Sequence, residues 1–95
     1  MEQISITAVF TPKEGKADAL QSELKKAQKA SRQEPGCLQY DLHQSIDDDT
    51  LVLHELYENN EAVQQHINSE HYQEYRKNTE DLLASRNVYK LKKLD

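Results

Sequence analysis

One short segment constrains the fold more than any other. Leu51-Val52-Leu53-His54-Glu55-Leu56-Tyr57 alternates as a strand, yet both of its faces carry apolar residues. Leu51, Leu53 and Tyr57 point one way; Val52 and Leu56 point the other, with His54 between them. A sheet containing such a strand needs cover on both sides. In a chain of 95 residues, helices can cover one face. A second sheet, most simply from a symmetric copy, would cover the other. Glu55 interrupts the first apolar series, where an unpaired carboxylate is costly to bury.

The rest of the chain supplies the partners of this strand. Ile4, Ile6, Ala8 and Phe10 alternate, so residues 3–11 read as a strand stopped by Pro12. Ala17, Leu20, Leu24, Ala27 and Ser31 recur at threes and fours, predicting a helix over about 16–33. Pro35-Gly36 turns the chain into a strand over 37–45, with Leu38, Tyr40 and Leu42 on one face. Asp47-Asp48-Asp49 forms a hairpin loop; the spread ligands and glycine of a calcium-binding EF-hand are missing. Asn59 or Asn60 caps a short helix through residue 68, with Ala62, Val63, His66 and Ile67 on one face. Ser69 restarts a helix bearing Tyr72, Tyr75, Thr79, Leu82 and Leu83, and Val88–Leu94 closes as a strand. The order β-α-β-β-α-β predicts an α+β, ferredoxin-like fold: a four-stranded antiparallel sheet with helices on one face. Two such sheets are expected to pack face to face as a homodimer, each chain forming one domain over 1–95.

Composition narrows the function. A net charge of −5 argues against nucleic acid as a partner. Lys90, Lys92 and Lys93 read as charges guarding an edge strand. The single Cys37 fits a reducing cytoplasm. Met1-Glu2 leads straight into a strand pattern and no apolar run approaches a membrane span, so neither export nor membrane association is expected. With only Gly15 and Gly36, the chain has no Gly-rich phosphate loop, and it has no Gly-x-Ser-x-Gly elbow.

If the hairpin pairs Ser45 with Thr50, Tyr40 lies opposite Glu55, and Asp41 lies opposite His54 on the other face. Glu55 then has either a raised pKa or a hydrogen-bond donor, for which Tyr40 is a candidate. A glutamate bonded to a neighbouring segment for structural reasons is the alternative. His66 shares the apolar stripe of its helix, as either a core residue or a general base. His71 follows five residues later. The two histidines make a poor metal pair, with no cysteine or carboxylate completing a known spacing and no HExxH motif. Tyr40, Tyr57, Tyr72 and Tyr75 can wall a pocket or edge the core. Arg76 and Lys77 are the nearest cations by sequence, while His43 and His54 fall on the opposite sheet face.

Together, Pro35-Gly36-Cys37-Leu38-x-Tyr40, Leu51-Val52-Leu53-His54-Glu55-x-Tyr57, Glu61-Ala62-Val63-x-x-His66 and Ser69-x-His71-Tyr72 resemble the antibiotic biosynthesis monooxygenase domain. The resemblance covers nearly the whole chain. It implies a dimeric α+β barrel and a monooxygenase acting on a quinol-like or polyphenolic substrate, with oxygen and without flavin, haem or metal. It implies His66 and Glu55 as catalytic residues, and Tyr40, Tyr57, His71 and Tyr72 around the substrate. Family members commonly carry tryptophan where Tyr57 stands. Haem-degrading relatives use an asparagine, a tryptophan and a histidine. Here Ser5 and Thr7 lie on the first strand, and His66 and Arg76 fall near the other two positions, so haem degradation is disfavoured. Two other readings stay open: an isomerase resembling the enzyme that processes phosphorylated autoinducer-2, and a non-catalytic barrel that binds a small ligand or serves a stress role.

Overall fold

A computed structural model describes residues 2–95. The elements run β1 (Ile4–Pro12), α1 (Ala17–Ser31), β2 (Cys37–Gln44), β3 (Leu51–Tyr57), α2 (Asn60–Ile67), α3 (Glu70–Thr79), a 3-10 turn (Glu80–Leu82) and β4 (Leu83–Leu91). The strands form one antiparallel sheet in the order β2-β3-β1-β4, which is the ferredoxin-like α+β arrangement.

The apolar periodicities account for the packing. Ile6, Ala8 and Phe10 from β1 and Leu51, Leu53 and Tyr57 from β3 are buried on the face that receives the helices. Leu20, Leu24, Ala27 and Ser31 of α1 are buried as their spacing predicts. The β2–β3 hairpin closes with Ser45 N–H donating to Thr50 O at 2.8 Å, which sets Tyr40 opposite Glu55 and Asp41 opposite His54. Asp48 Oδ1 accepts from Thr50 N–H inside the loop, the solvated turn read from the aspartates.

Several details differ from the sequence reading, the helix expected to carry Leu82 and Leu83 among them: α3 ends at Thr79, Leu82 lies in the 3-10 turn and Leu83 opens β4. β1 continues through Pro12, because a register shift between Thr11 and Pro12 accommodates the ring while Pro12 still faces Leu83. β2 bulges between Cys37 and Gln39, turning Leu38 outward at 48% exposure and Cys37 toward both core clusters. β4 begins at Leu83 rather than Val88 and ends at Leu91 rather than Leu94. Its first half is polar and lacks apolar alternation, but it pairs with Val9–Pro12. The last pair is Ser5 with Leu91, so residues 92–94 have no β1 partner.

Two local devices position α2. Gly36 is buried in the turn after α1, and a Cβ there would collide with Cβ of Ala62. The turn and helix can approach closely only because residue 36 is glycine. Asn59 caps α2 by accepting from Ala62 N–H at 2.8 Å. Ser69 then separates the helices. Its Oγ donates to His66 O at 2.6 Å and accepts from Tyr72 N–H at 3.2 Å, capping α3. Among the described residues no helix lies over the other sheet face. Val52 and Leu56 are half-buried there, and Tyr89 and Leu91 are 53% and 46% exposed.

Candidate functional site

The core divides into a larger cluster around Phe10, Leu24 and Leu53 and a smaller one around Ile6, Tyr57 and Val63. Beside both clusters lie two buried titratable side chains, Glu55 and His66. β3 brings Glu55 to the helix-covered face, and the buried stripe of α2 brings His66 over it.

Both imidazole nitrogens of His66 face carboxylates. Nδ1 is 2.8 Å from Glu34 Oε2, and Nε2 is 3.6 Å from Glu55 Oε1. The first is a hydrogen bond; the second is close approach without one. A carboxylate can only accept, so the Glu34 contact puts the ring proton on Nδ1 and leaves a lone pair on Nε2. Glu34 Oε2 also contacts His71 Nε2 at 2.5 Å. Glu34, missed as a site residue in the sequence, therefore sits between both histidines. Its signal was adjacency to Pro35-Gly36, the turn held against α2.

Glu55 takes its hydrogen bond from the Tyr57 hydroxyl, at 2.6 Å to Oε1. Tyr40, the donor expected from the register, lies opposite Glu55 but does not supply that bond. Burial pushes the Glu55 carboxyl up to about 7; the Tyr57 hydrogen bond and the Arg86 charge resist this, and the charge of Glu34 adds to it. Burial holds the His66 imidazole below its ordinary 6.5, against the opposing pull of Glu34. His66 is therefore mostly uncharged at neutral pH. Tyr57 is pushed well above the ordinary tyrosine value by burial and then by the Glu55 charge, so it remains a hydroxyl donor.

The six residues singled out in the sequence meet around His66. Its ring centroid lies 6.1 Å from that of Tyr40, 5.2 Å from Tyr57, 5.9 Å from His71 and 5.1 Å from Tyr72. A narrow cavity of about 60 Å³ opens beside them. Tyr40, Glu55, His66 and Tyr72 line it; Tyr57 stands behind Glu55, and His71 faces a groove between α1 and α3. The cavity is smaller than the ~300 Å³ lower range of small-molecule pockets, so a ring-sized ligand must part its walls. Val88 of β4, 43% exposed, and Ile67 of α2 line one side.

The cation at the cavity is Arg86, rather than Arg76 or Lys77. Its Nη2 is 3.4 Å from Tyr72 OH, and its Nε is 3.4 Å from Tyr75 OH. Residues 83–87, Leu-Ala-Ser-Arg-Asn, carry no apolar alternation that would mark Arg86 as a strand residue in the sequence. Arg76 is exposed and reaches the Tyr72 hydroxyl at 3.2 Å. His43 and His54 lie on the opposite sheet face, with ring centroids 5.2 Å apart. Glu34, His66 and His71 together offer three ligand atoms within 4.8 Å of one another. Glu34 is the carboxylate that the sequence reading found lacking.

A family model described as antibiotic biosynthesis monooxygenase matches residues 3–78, ending before β4. Rv0793 from Mycobacterium tuberculosis, provisionally described as a monooxygenase, is 36% identical over 81 residues, spanning 85% of this chain and 80% of that protein. Its structure superposes with a TM-score of 0.93 over 98% of this chain and 96% of its own, at 35% identity. PA3566 from Pseudomonas aeruginosa gives 0.94 at 33% identity, over 100% of this chain and 97% of its own. A Nitrosomonas europaea protein, provisionally described as an antibiotic biosynthesis monooxygenase, gives 0.92 at 25% identity, over 98% and 91%.

Proposed function

The chain belongs to the antibiotic biosynthesis monooxygenase family, and from that premise we propose that it is a cofactor-independent monooxygenase. Its substrate is a small quinol-like or polyphenolic compound, oxidised by molecular oxygen. The carrying observation is the Glu34–His66 hydrogen bond, which supports an imidazole whose free Nε2 lies beside Glu55 at the cavity.

The chemistry is divided between protein and substrate. His66 Nε2 takes the proton of a phenolic hydroxyl, and Glu34 stabilises the imidazolium that results. The Arg86 charge favours the phenolate over the phenol. The electron-rich anion passes one electron to oxygen, and the radical pair joins as a carbon–oxygen bond. Loss of the C–H proton and cleavage of the O–O bond leave a ring carbonyl and one water. The phenolic and ring hydrogens both end on that water, so oxygen is the only oxidant required. Glu55, held by Tyr57, orients the substrate hydroxyl or exchanges its proton with His66. Tyr40 and Tyr72 wall the ring; Tyr57 and His71 support Glu55 and Glu34.

The uncovered sheet face, with Val52, Leu56, Tyr89 and Leu91, supports a homodimer packed sheet to sheet. In this reading residues 1–95 act as one domain in the cytoplasm, with neither nucleic acid nor membrane as partner. Among the described residues no helix is long and apolar enough to cross a membrane. A second reading, isomerisation of a phosphorylated metabolite, gains from Arg86, which supplies a cation at the cavity.

Oxygen uptake with reduced quinols and anthrone-like phenols, in chelator and corrected for autoxidation, tests the proposal. Substrate-dependent uptake that His66→Ala abolishes is expected. Turnover that continues without oxygen supports the isomerase instead. Saturable binding without product supports a ligand-binding barrel.

A further inference from the structure

We propose that Glu34, His66 and His71 form a binding site for a divalent transition-metal ion of the zinc type, entered from the groove between α1 and α3. Three observations carry this. One carboxylate oxygen, Glu34 Oε2, lies 2.8 Å from His66 Nδ1 and 2.5 Å from His71 Nε2, so the ligand atoms already converge. Metal–ligand bonds of about 2.0–2.1 Å at tetrahedral angles put neighbouring ligand atoms roughly 3.3 Å apart, so modest widening would admit the ion. Two imidazoles and one carboxylate suit zinc, iron, cobalt or nickel better than calcium or magnesium.

The second observation is access. His71 is half-buried and lines a groove of about 190 Å³ between α1 and α3. Glu23 and Glu74 line the same groove and give it negative charge, partly offset by Lys26. The groove and the substrate cavity have different linings, sharing only Tyr75. Of the three ligands only His71 lines the groove, so a cation would reach the site past His71 without crossing the cavity.

The third is what stands behind the ligand. A histidine that binds metal through one nitrogen usually presents the other N–H to a carboxylate. Coordination through His66 Nδ1 shifts the ring proton to Nε2, which faces Glu55 Oε1 at 3.6 Å. The same shift removes the lone pair assigned above as the base, so an occupied site inhibits the proposed oxygenase. That inhibition rests on the proposed function; metal binding itself does not.

The test is titration of chelator-treated full-length protein with Zn2+ against a chromogenic indicator, with Co2+ absorption reporting coordination. One ion per chain is expected. His71→Ala and Glu34→Gln should each weaken affinity by more than the roughly 10- to 100-fold typical of losing an outer-shell partner, with His43→Ala, on the opposite sheet face, as a control that changes nothing. Circular dichroism confirms that each variant is folded. Substoichiometric binding, affinity unchanged in both site variants, or binding lost in His43→Ala overturns the proposal. Because the readout needs neither substrate nor oxygen, it stands or fails separately from the oxygenase assay.

Discussion

The Glu34 carboxylate lies 2.8 Å from Nδ1 of His66 across 32 residues of chain, joining the turn after α1 to the buried face of α2. The bond fixes the ring's tautomer and orientation together, while burial keeps the ring uncharged at neutral pH. His66→Ala should therefore lower substrate-dependent oxygen uptake about 100- to 10,000-fold, the usual range for a general base. Glu34→Gln should leave partial activity with an altered pH profile, because the amide can still pair with Nδ1 but carries no charge. Steady-state rates from pH 5 to 9 separate the two effects.

Glu55 predicts a pH-dependent stability. Its carboxyl moves from an ordinary 4.5 to about 7 on folding, so between those values the folded chain holds a proton that the unfolded chain releases. Stability from this group consequently falls as pH rises through that window, by about 3 kcal/mol. His66 has the opposite sign, since its lowered pKa favours the folded state as pH rises. Glu55→Gln removes only the first contribution. Relative to the parent, the variant should gain roughly 2–3 kcal/mol between pH 5 and pH 8, read by urea denaturation at each pH. A constant difference would remove Glu55 as the source.

The Gly36 contact predicts a coupled pair. Gly36→Ala should destabilise by about 1–3 kcal/mol, because its new methyl meets Ala62. Ala62→Gly removes the opposing methyl and should recover much of that loss, although glycine in a helix costs up to ~1 kcal/mol. Denaturant titrations of the two single variants and the double variant measure the coupling. Simple additivity would separate Gly36 from α2.

Leu56→Asp tests the proposed association through the half-buried side chain on the uncovered sheet face. The parent should sediment as a dimer and the variant as a monomer with unchanged secondary structure. A monomeric parent would leave that face without the proposed partner.

The elements were legible where local periodicity coincides with burial. The stripe of α1, the alternation of β3 and the caps at Asn59 and Ser69 all appear in the sequence. Turn chemistry likewise set the register that opposes Tyr40 and Glu55. Leu38 was misread because a bulge breaks the two-residue period, and β4 because its first half pairs through backbone rather than apolar pattern. Glu55 and His66 stood out as polar groups in apolar series. Glu34 and Arg86 did not, since each gains its meaning from contacts that only the tertiary fold creates.

The break at Ser69 predicts an order of assembly. His66 and His71 sit on either side of one capping residue, so helix formation nearby can bring them together early. Glu34 and Glu55 arrive only when the turn after α1 and the central strand have docked. On the proposed chemistry, a half-assembled chain carries the imidazole but has no means of setting its proton. Recovery of oxygen uptake during refolding should then lag behind the return of helix signal, making turnover a clock for the last long-range contacts to close.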